Sequence, residues 1–121
     1  MLICLWSTPL LADTASRDTV PWQQSYASIV ALEYRDADER FPYGDGPHQF
    51  ADLWLPAPAE SPVPVVVLIH GGCWLSDYDI AHVRPLATAL ADSGFAVCAV
   101  EYRRVGNVGG GWPGTFADVA N

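Results

Sequence analysis

Lysine is absent from these 121 residues, and six arginines are set against fourteen acidic side chains. The formal charge of -8 repels phosphate backbones and anionic lipid, so nucleic-acid and membrane-surface partners are disfavoured. Long apolar runs are also missing. The N-terminal stretch Leu2 to Trp6, even with Leu10 and Leu11 beyond it, falls short of the roughly 20 residues that span a bilayer. Cysteine is scarce: Cys4, Cys73 and Cys98 give an odd count without metal-ligand spacing, so neither a disulfide framework nor a metal is implied. There is no internal repeat and no low-complexity tract.

What remains is a chain built for one modest core. Half of its residues are hydrophobic and five are tryptophan, which suits a globular domain. Residues 1–21 read as an N-terminal arm or the remnant of an export signal, since small residues follow the apolar part. Export is accordingly preferred to a cytoplasmic location, although no cation precedes that part. Residues 22–121 form the domain. Tyr26, Ile29, Val30 and Leu32 suit a short helix with one face inward. Arg35 to Arg40 is a charged connector, read as solvated. Phe41 to Tyr43 and Gln49 to Leu55 are two strands joined by the turn Gly44-Asp45-Gly46-Pro47. In the second, Phe50, Asp52 and Trp54 share one face. Four prolines between Pro56 and Pro64 make a stiff surface connector.

The organising stretch is Val65-Val66-Val67-Leu68-Ile69-His70-Gly71-Gly72-Cys73-Trp74. Its unbroken β-branched run reads as a strand buried on both faces, as in parallel sheets. Gly71-Gly72 permit a tight turn, and Ile80, Val83, Leu86, Ala87 and Leu90 then fall at helical spacing. Pro85 is tolerable only in a first turn, so the regular helix should start near His82, with Asp77 or Asp79 as cap and Gly94 at its end. Phe95 to Val100 is a second buried strand, which completes a βαβ unit with a right-handed crossover. A glycine-rich loop, Gly106 to Gly111, leads to a last helix begun near Pro113.

Consecutive backbone N–H groups at the carboxyl end of a parallel strand are suited to negative charge. No phosphate fingerprint is present, and the Gly109-Gly110-Gly111 loop lacks a P-loop lysine, so an oxyanion is the better match than a phosphate. Cys73 lies in the glycine turn and as a nucleophile would need a neighbouring base, which the strand end and turn need not bring to it, so a catalytic thiol is not the preferred reading. Cys98 reads as a small core residue.

His70-Gly71-Gly72-Cys73-Trp74, with Glu101-Tyr102-Arg103-Arg104 and Gly109-Gly110-Gly111-Trp112-Pro113-Gly114-Thr115-Phe116, resembles the α/β-hydrolase superfamily. Within it, the esterase and kynurenine-formamidase-like group with an H-G-G-x-W motif is the nearest likeness. The fold class implied is α/β, the N-terminal part of an α/β-hydrolase sheet, incomplete and ending before the nucleophile elbow. The resemblance implies that the N–H groups of Gly72 and Cys73 bind an oxyanion, that Gly71 shapes the loop, and that Trp74 lines the pocket or packs under the helix. It implies an ester or amide of a small molecule as substrate, and neither cofactor nor metal.

His70, His48 and His82 precede any nucleophile, whereas the family's base follows it. His70 is therefore expected to brace the loop, and His48 and His82 to lie on the surface. Arg103 and Arg104 are expected in structural ion pairs with Glu101 or a neighbouring acid. None of Ser7, Ser16, Ser25, Ser28, Ser61, Ser76 and Ser93 sits in G-x-S-x-G, so no triad member is expected here and the 121 residues alone should be inactive. The strand Val65 to Ile69 should be an open edge. A small anion- or nucleotide-binding α/β module without catalysis is the alternative reading.

Overall fold

A computed structural model describes residues 24–58 and 62–121. The N-terminal arm, the export reading, Cys4, Trp22 and Ser61 lie outside the described residues.

Four strands make one sheet in the order β1-β2-β4-β3, with β1 at Glu39–Pro42, β2 at Phe50–Trp54, β3 at Val65–Ile69 and β4 at Ala96–Glu101. The glycine-rich turn closes β1 and β2 into an antiparallel hairpin, in which Glu39 lies opposite Leu53 and Pro42 opposite Phe50. β2 runs antiparallel to β4, and β3 runs parallel to it. The β3–β4 connection is therefore the βαβ unit read from the sequence. It carries a 3₁₀ turn at Ile80–Val83 and helix α2 at Arg84–Asp92.

The Asp79 side chain caps the 3₁₀ turn by accepting from the Ala81 N–H, and Pro85 falls within the first turn of α2, where its missing donor costs nothing. Gly94 follows with a φ of +96°, a left-handed value that ends the helix at little cost.

One face of the sheet is covered. Trp54, Val97 and Ala99 project from it against Ile80, Ala87 and Ala91, with Phe50, Leu68 and Val83 at the margin. Trp54 is fully buried and its indole N–H donates to the Arg35 carbonyl at 2.9 Å. Burying such a ring contributes roughly 1.5–3 kcal/mol, and the bond removes the penalty of its polar edge. Asp52, on the same face, is buried but accepts two bonds from Arg40, at 2.6 and 2.8 Å. The connector from Arg35 to Arg40 is thus tied to the sheet rather than merely solvated.

The opposite face corrects a reading. β3 is not buried on both faces: Val65, Val67 and Ile69 are 64%, 60% and 55% exposed. Its alternate residues, Val66 and Leu68, are half-buried, Leu68 against the core, but among the described residues nothing covers the other side. Leu86 is likewise half exposed, because the 3₁₀ segment rotates the start of α2 away from the assumed helical register. The N-terminal helix, α1 at Tyr26–Val30, buries no residue fully. It attaches through Tyr26, whose ring meets Tyr78 edge-on and whose hydroxyl donates to Asp79 at 3.0 Å. The final helix, α3, spans Gly114–Ala120. No described helix is long and apolar enough to cross a membrane.

Candidate active site

Because β3 and β4 are parallel neighbours in register, with Ile69 opposite Val100, their carboxyl ends lie side by side. His70 and Tyr102 leave those ends together. The His70 ring is buried and stacks on Tyr102, with centroids 4.3 Å apart and planes 10° apart. The Tyr102 hydroxyl donates to the His70 carbonyl at 2.6 Å.

Both ring nitrogens of His70 are engaged. Nδ1 lies 2.9 Å from the Gly71 carbonyl. Nε2 lies 3.1 Å from Glu101 Oε1. Both nitrogens are thus occupied by groups at the strand ends and the start of the loop.

Glu101, at the end of β4, is the hub beneath the loop. Its carboxylate accepts from the Tyr102 N–H at 2.9 Å, the Ile80 N–H at 3.0 Å and Arg104 at 2.7 Å. Burial alone would push this acid up. The bonds from His70, Ile80 and Tyr102 outweigh that and hold its carboxyl below the usual glutamate range. Arg104 is itself buried and also donates to the Tyr78 carbonyl at 2.9 Å.

Arg103 turns the other way. It pairs with buried Asp118 of α3 through two side-chain bonds of 2.7 and 2.8 Å, and Gln49 completes that carboxylate. Both arginines are structural, as read from the sequence. Between them, Tyr43 donates to the Glu101 carbonyl at 2.6 Å. Burial, with the charges of Asp118 and Glu101, leaves its phenol pushed up to about 12.

On this base sits the loop. Gly72, Cys73 and Trp74 have φ of +121°, +53° and +57°, three left-handed residues in succession. For Cys73 and Trp74 that conformation costs about 1–2 kcal/mol each, a strain that has to be held in place by its surroundings. The restraint is visible. Leu75 N–H donates to the Gly72 carbonyl, Val105 N–H to that of Trp74, and Ser76 N–H to that of Val105. Gly72 lies so close to Tyr78 that any Cβ would collide with the Tyr78 ring base. The N–H groups of Gly72 and Cys73 have no acceptor among the described residues.

His70, Gly71, Cys73 and Trp74 line one open cavity of about 390 Å³ together with Tyr102. Gly72 is the loop residue that does not line it. Trp74 is 55% exposed and touches Phe116 rather than packing under α2. Glu101, the last residue of β4, was read as an ion-pair partner and Tyr102, just past it, only as part of the resembling block; that the two meet His70 was not read, and their only signal for it is position at the end of a strand. His82 is not a surface residue as expected: it is half-buried, bonded through Nδ1 to the Asp79 carbonyl at 2.6 Å, and meets His70 edge-on. His48 is also half-buried, in a crevice beside Arg103. Cys98 is partly buried on β4, where burial pushes its thiol up, and Cys73 is exposed. Among the described residues no group of three potential metal ligands comes together.

Comparison with known proteins adds an independent line. A methylesterase of Arabidopsis thaliana, described as isoprenylcysteine alpha-carbonyl methylesterase ICME, is 38% identical over 101 residues, which is 81% of this chain and 23% of that protein. A protein of Oryza sativa subsp. japonica, described as a probable enzyme of the same kind, is 38% identical over 61 residues, 50% of this chain and 14% of its own length. The chain thus spans less than a quarter of these relatives. A solved structure from silicibacter sp. tm1040, described as a candidate thioesterase, superimposes with a TM-score of 0.47 at 31% identity, over 55% of this chain and 26% of that one. The BD-FAE family model matches residues 51–121, more than half of the sequence, and takes in β2 from its second residue, β3, the strained loop, α2, β4 and α3. With its mixed sheet and esterase relatives, the chain belongs to the BD-FAE family, an α/β-hydrolase-like group.

Proposed function

We propose that this chain supplies the oxyanion loop and half of the sheet of a serine hydrolase acting on a small-molecule carboxylic ester or amide. The observation that supports the reading is the left-handed run Gly72 to Trp74, whose first two N–H groups have no acceptor among the described residues, next to an open cavity lined by Gly71, Cys73 and Trp74. In such an enzyme a serine attacks the carbonyl carbon, a C–O bond forms, and the carbonyl π electrons move to oxygen. The N–H groups of Gly72 and Cys73 then donate to that alkoxide. Its collapse expels the alcohol or amine, which takes up the proton removed from the serine. Gly71 shapes the turn, His70 holds it, and Trp74 walls the pocket.

The nucleophile, acid and base come from other parts of the polypeptide, because no serine here stands in G-x-S-x-G. The relatives described as methylesterases favour an ester over an amide. An arylformamidase-like amide remains within reach of the same geometry, which does not distinguish alkoxide precursors.

The test compares the 121-residue chain with the polypeptide translated from the whole reading frame. We expect the longer protein to react with a fluorophosphonate and to hydrolyse p-nitrophenyl acetate, and the shorter one to do neither. Gly72→Ala in the longer protein pushes the loop off Tyr78 and should lower kcat/KM by about 10²–10³, the usual worth of one oxyanion donor. Turnover by the short chain, or full activity of Gly72→Ala, would refute the assignment.

A further inference from the structure

The β1–β2 hairpin and the loop after β4 meet because Phe50, the first residue of β2, lies opposite Glu101, the last of β4. That register brings His48 of the hairpin together with Arg103 and Asn107 of the loop. The three line a crevice of about 450 Å³, walled also by Pro47 and Val108. It shares no lining residue with the cavity over the strand ends. Among the described residues no carboxylate lines it.

What the lining has left over is hydrogen-bond donors. Arg103 spends Nε and Nη2 on Asp118, at 2.8 and 2.7 Å, whereas its Nη1 has no acceptor among the described residues. Asn107 spends its side-chain oxygen on the Arg104 N–H at 2.9 Å, which leaves the amide Nδ2 without a partner there. The His48 ring has no partner on either nitrogen among the described residues, and one of the two always carries a proton. Nor are these groups loose. Asp118 fixes the guanidinium plane, and Gly109 makes room for it, since a Cβ there would stand 2.7 Å from Nη1. Asn107 is pinned by its N–H to the Arg104 carbonyl at 2.9 Å, and Gln49 bridges the hairpin to Asp118 at 2.7 Å. Donors held in place before a ligand arrives lose little freedom on binding it.

We infer that this crevice binds the carboxylate of a small organic monoacid, with Arg103 Nη1, the Asn107 amide and His48 donating to its oxygens. Three converging donors without a facing acid match a group that only accepts. The charge available sets the class of anion. Asp118 already opposes Arg103 and the chain holds no lysine, so a carboxylate suits the crevice better than a phosphate dianion. Pro47 and Val108, the latter 97% exposed, offer apolar surface to the body of the acid. The site stands apart from the oxyanion loop and does not depend on it.

The probe is benzoate added to the 121-residue chain, followed by saturation transfer to its ring protons, a readout that tolerates self-association. We expect saturable binding, with benzamide and inorganic phosphate each at least tenfold weaker. Asn107→Asp keeps the oxygen that holds the Arg104 N–H but replaces the spare donor with negative charge, so it should weaken benzoate at least tenfold. His48→Ala removes a donor without touching the loop and should weaken benzoate at least threefold. It decides the matter if Asn107→Asp unfolds the loop. Gly72→Ala should leave benzoate binding unchanged, because the oxyanion loop lines a different cavity. Binding that does not saturate, benzamide or phosphate as tight as benzoate, or parental affinity in either Asn107→Asp or His48→Ala would overturn the site. So would loss of binding in Gly72→Ala, which would put the anion at the oxyanion loop instead.

Discussion

At the scale of the residue, the informative position is Cys73. Its left-handed φ of +53° is one that glycine adopts freely, and its thiol is exposed while the nearest histidine has both nitrogens occupied. If the residue matters through its backbone N–H, Cys73→Gly keeps the donor and removes the strain. Relief of about 1–2 kcal/mol is offset by the extra freedom glycine has when unfolded, about 0.5–1 kcal/mol. We therefore expect the urea midpoint to move by the equivalent of about 0–1.5 kcal/mol, upward if at all, and the hydrolase activity proposed for the whole polypeptide to survive. Loss of activity with unchanged stability would return the thiol to a catalytic role. The glycine pair was legible as a turn because glycine has one obvious use there. That Cys73 and Trp74 continue the left-handed run was not, since neither residue type signals it. The bracing role of His70 was read from chain order, but its partner Glu101 was not, because 31 positions separate them and only the strand register joins them.

At the scale of the element, β3 shows what an apolar run can and cannot say. Five consecutive apolar residues identify a strand. They do not reveal whether both faces are covered, because that depends on what packs on the far side. Here Val66 and Leu68 are half-buried, Leu68 against the core cluster, while Val65, Val67 and Ile69 face outward at the edge of the sheet. The strand bears no charge, and an uncharged edge with an apolar face is a template for pairing with another chain. The 121-residue protein should self-associate at micromolar concentration. Val67→Lys should lower the association measured by sedimentation at least tenfold, at a cost within about 1 kcal/mol because the position is already in water. A monodisperse wild-type chain would remove this reading. By contrast, the hairpin and the βαβ unit were both legible, because their turn residues and spacings act locally. The start of α2 was legible only to within two residues, since Pro85 fixes the first turn while the 3₁₀ segment before it depends on Asp79 and Glu101.

At the scale of the whole molecule, two buried carboxylates tie distant parts together. Glu101 joins the end of β4 to the loop, the 3₁₀ turn and Arg104, and Asp118 joins α3 to Arg103 and to Gln49 beside the hairpin. For both, burial raises the pKa but hydrogen bonds outweigh it, from His70, Ile80 and Tyr102 at Glu101 and from Arg103 and Gln49 at Asp118, so the folded values lie below the ordinary ones. A carboxylate with a lowered folded pKa adds stability that is complete above its unfolded pKa and is lost as pH falls through the folded one. Stability should therefore be flat above about pH 5 and decline below about pH 4. The two sites should not contribute equally. The Arg104 side chain is 2% exposed and that of Arg103 26%, so removing the charge of Glu101 strands a cation with no water to turn to. Glu101→Gln should cost about 3–5 kcal/mol, as breaking a buried pair does, and should flatten the acid limb. Asp118→Asn should cost less, because Arg103 can rehydrate. Urea midpoints for both variants between pH 3 and 7 decide it. Equal costs, or an acid limb in Glu101→Gln as steep as in the parent, would mean that this buried network does not couple the sheet to the loop.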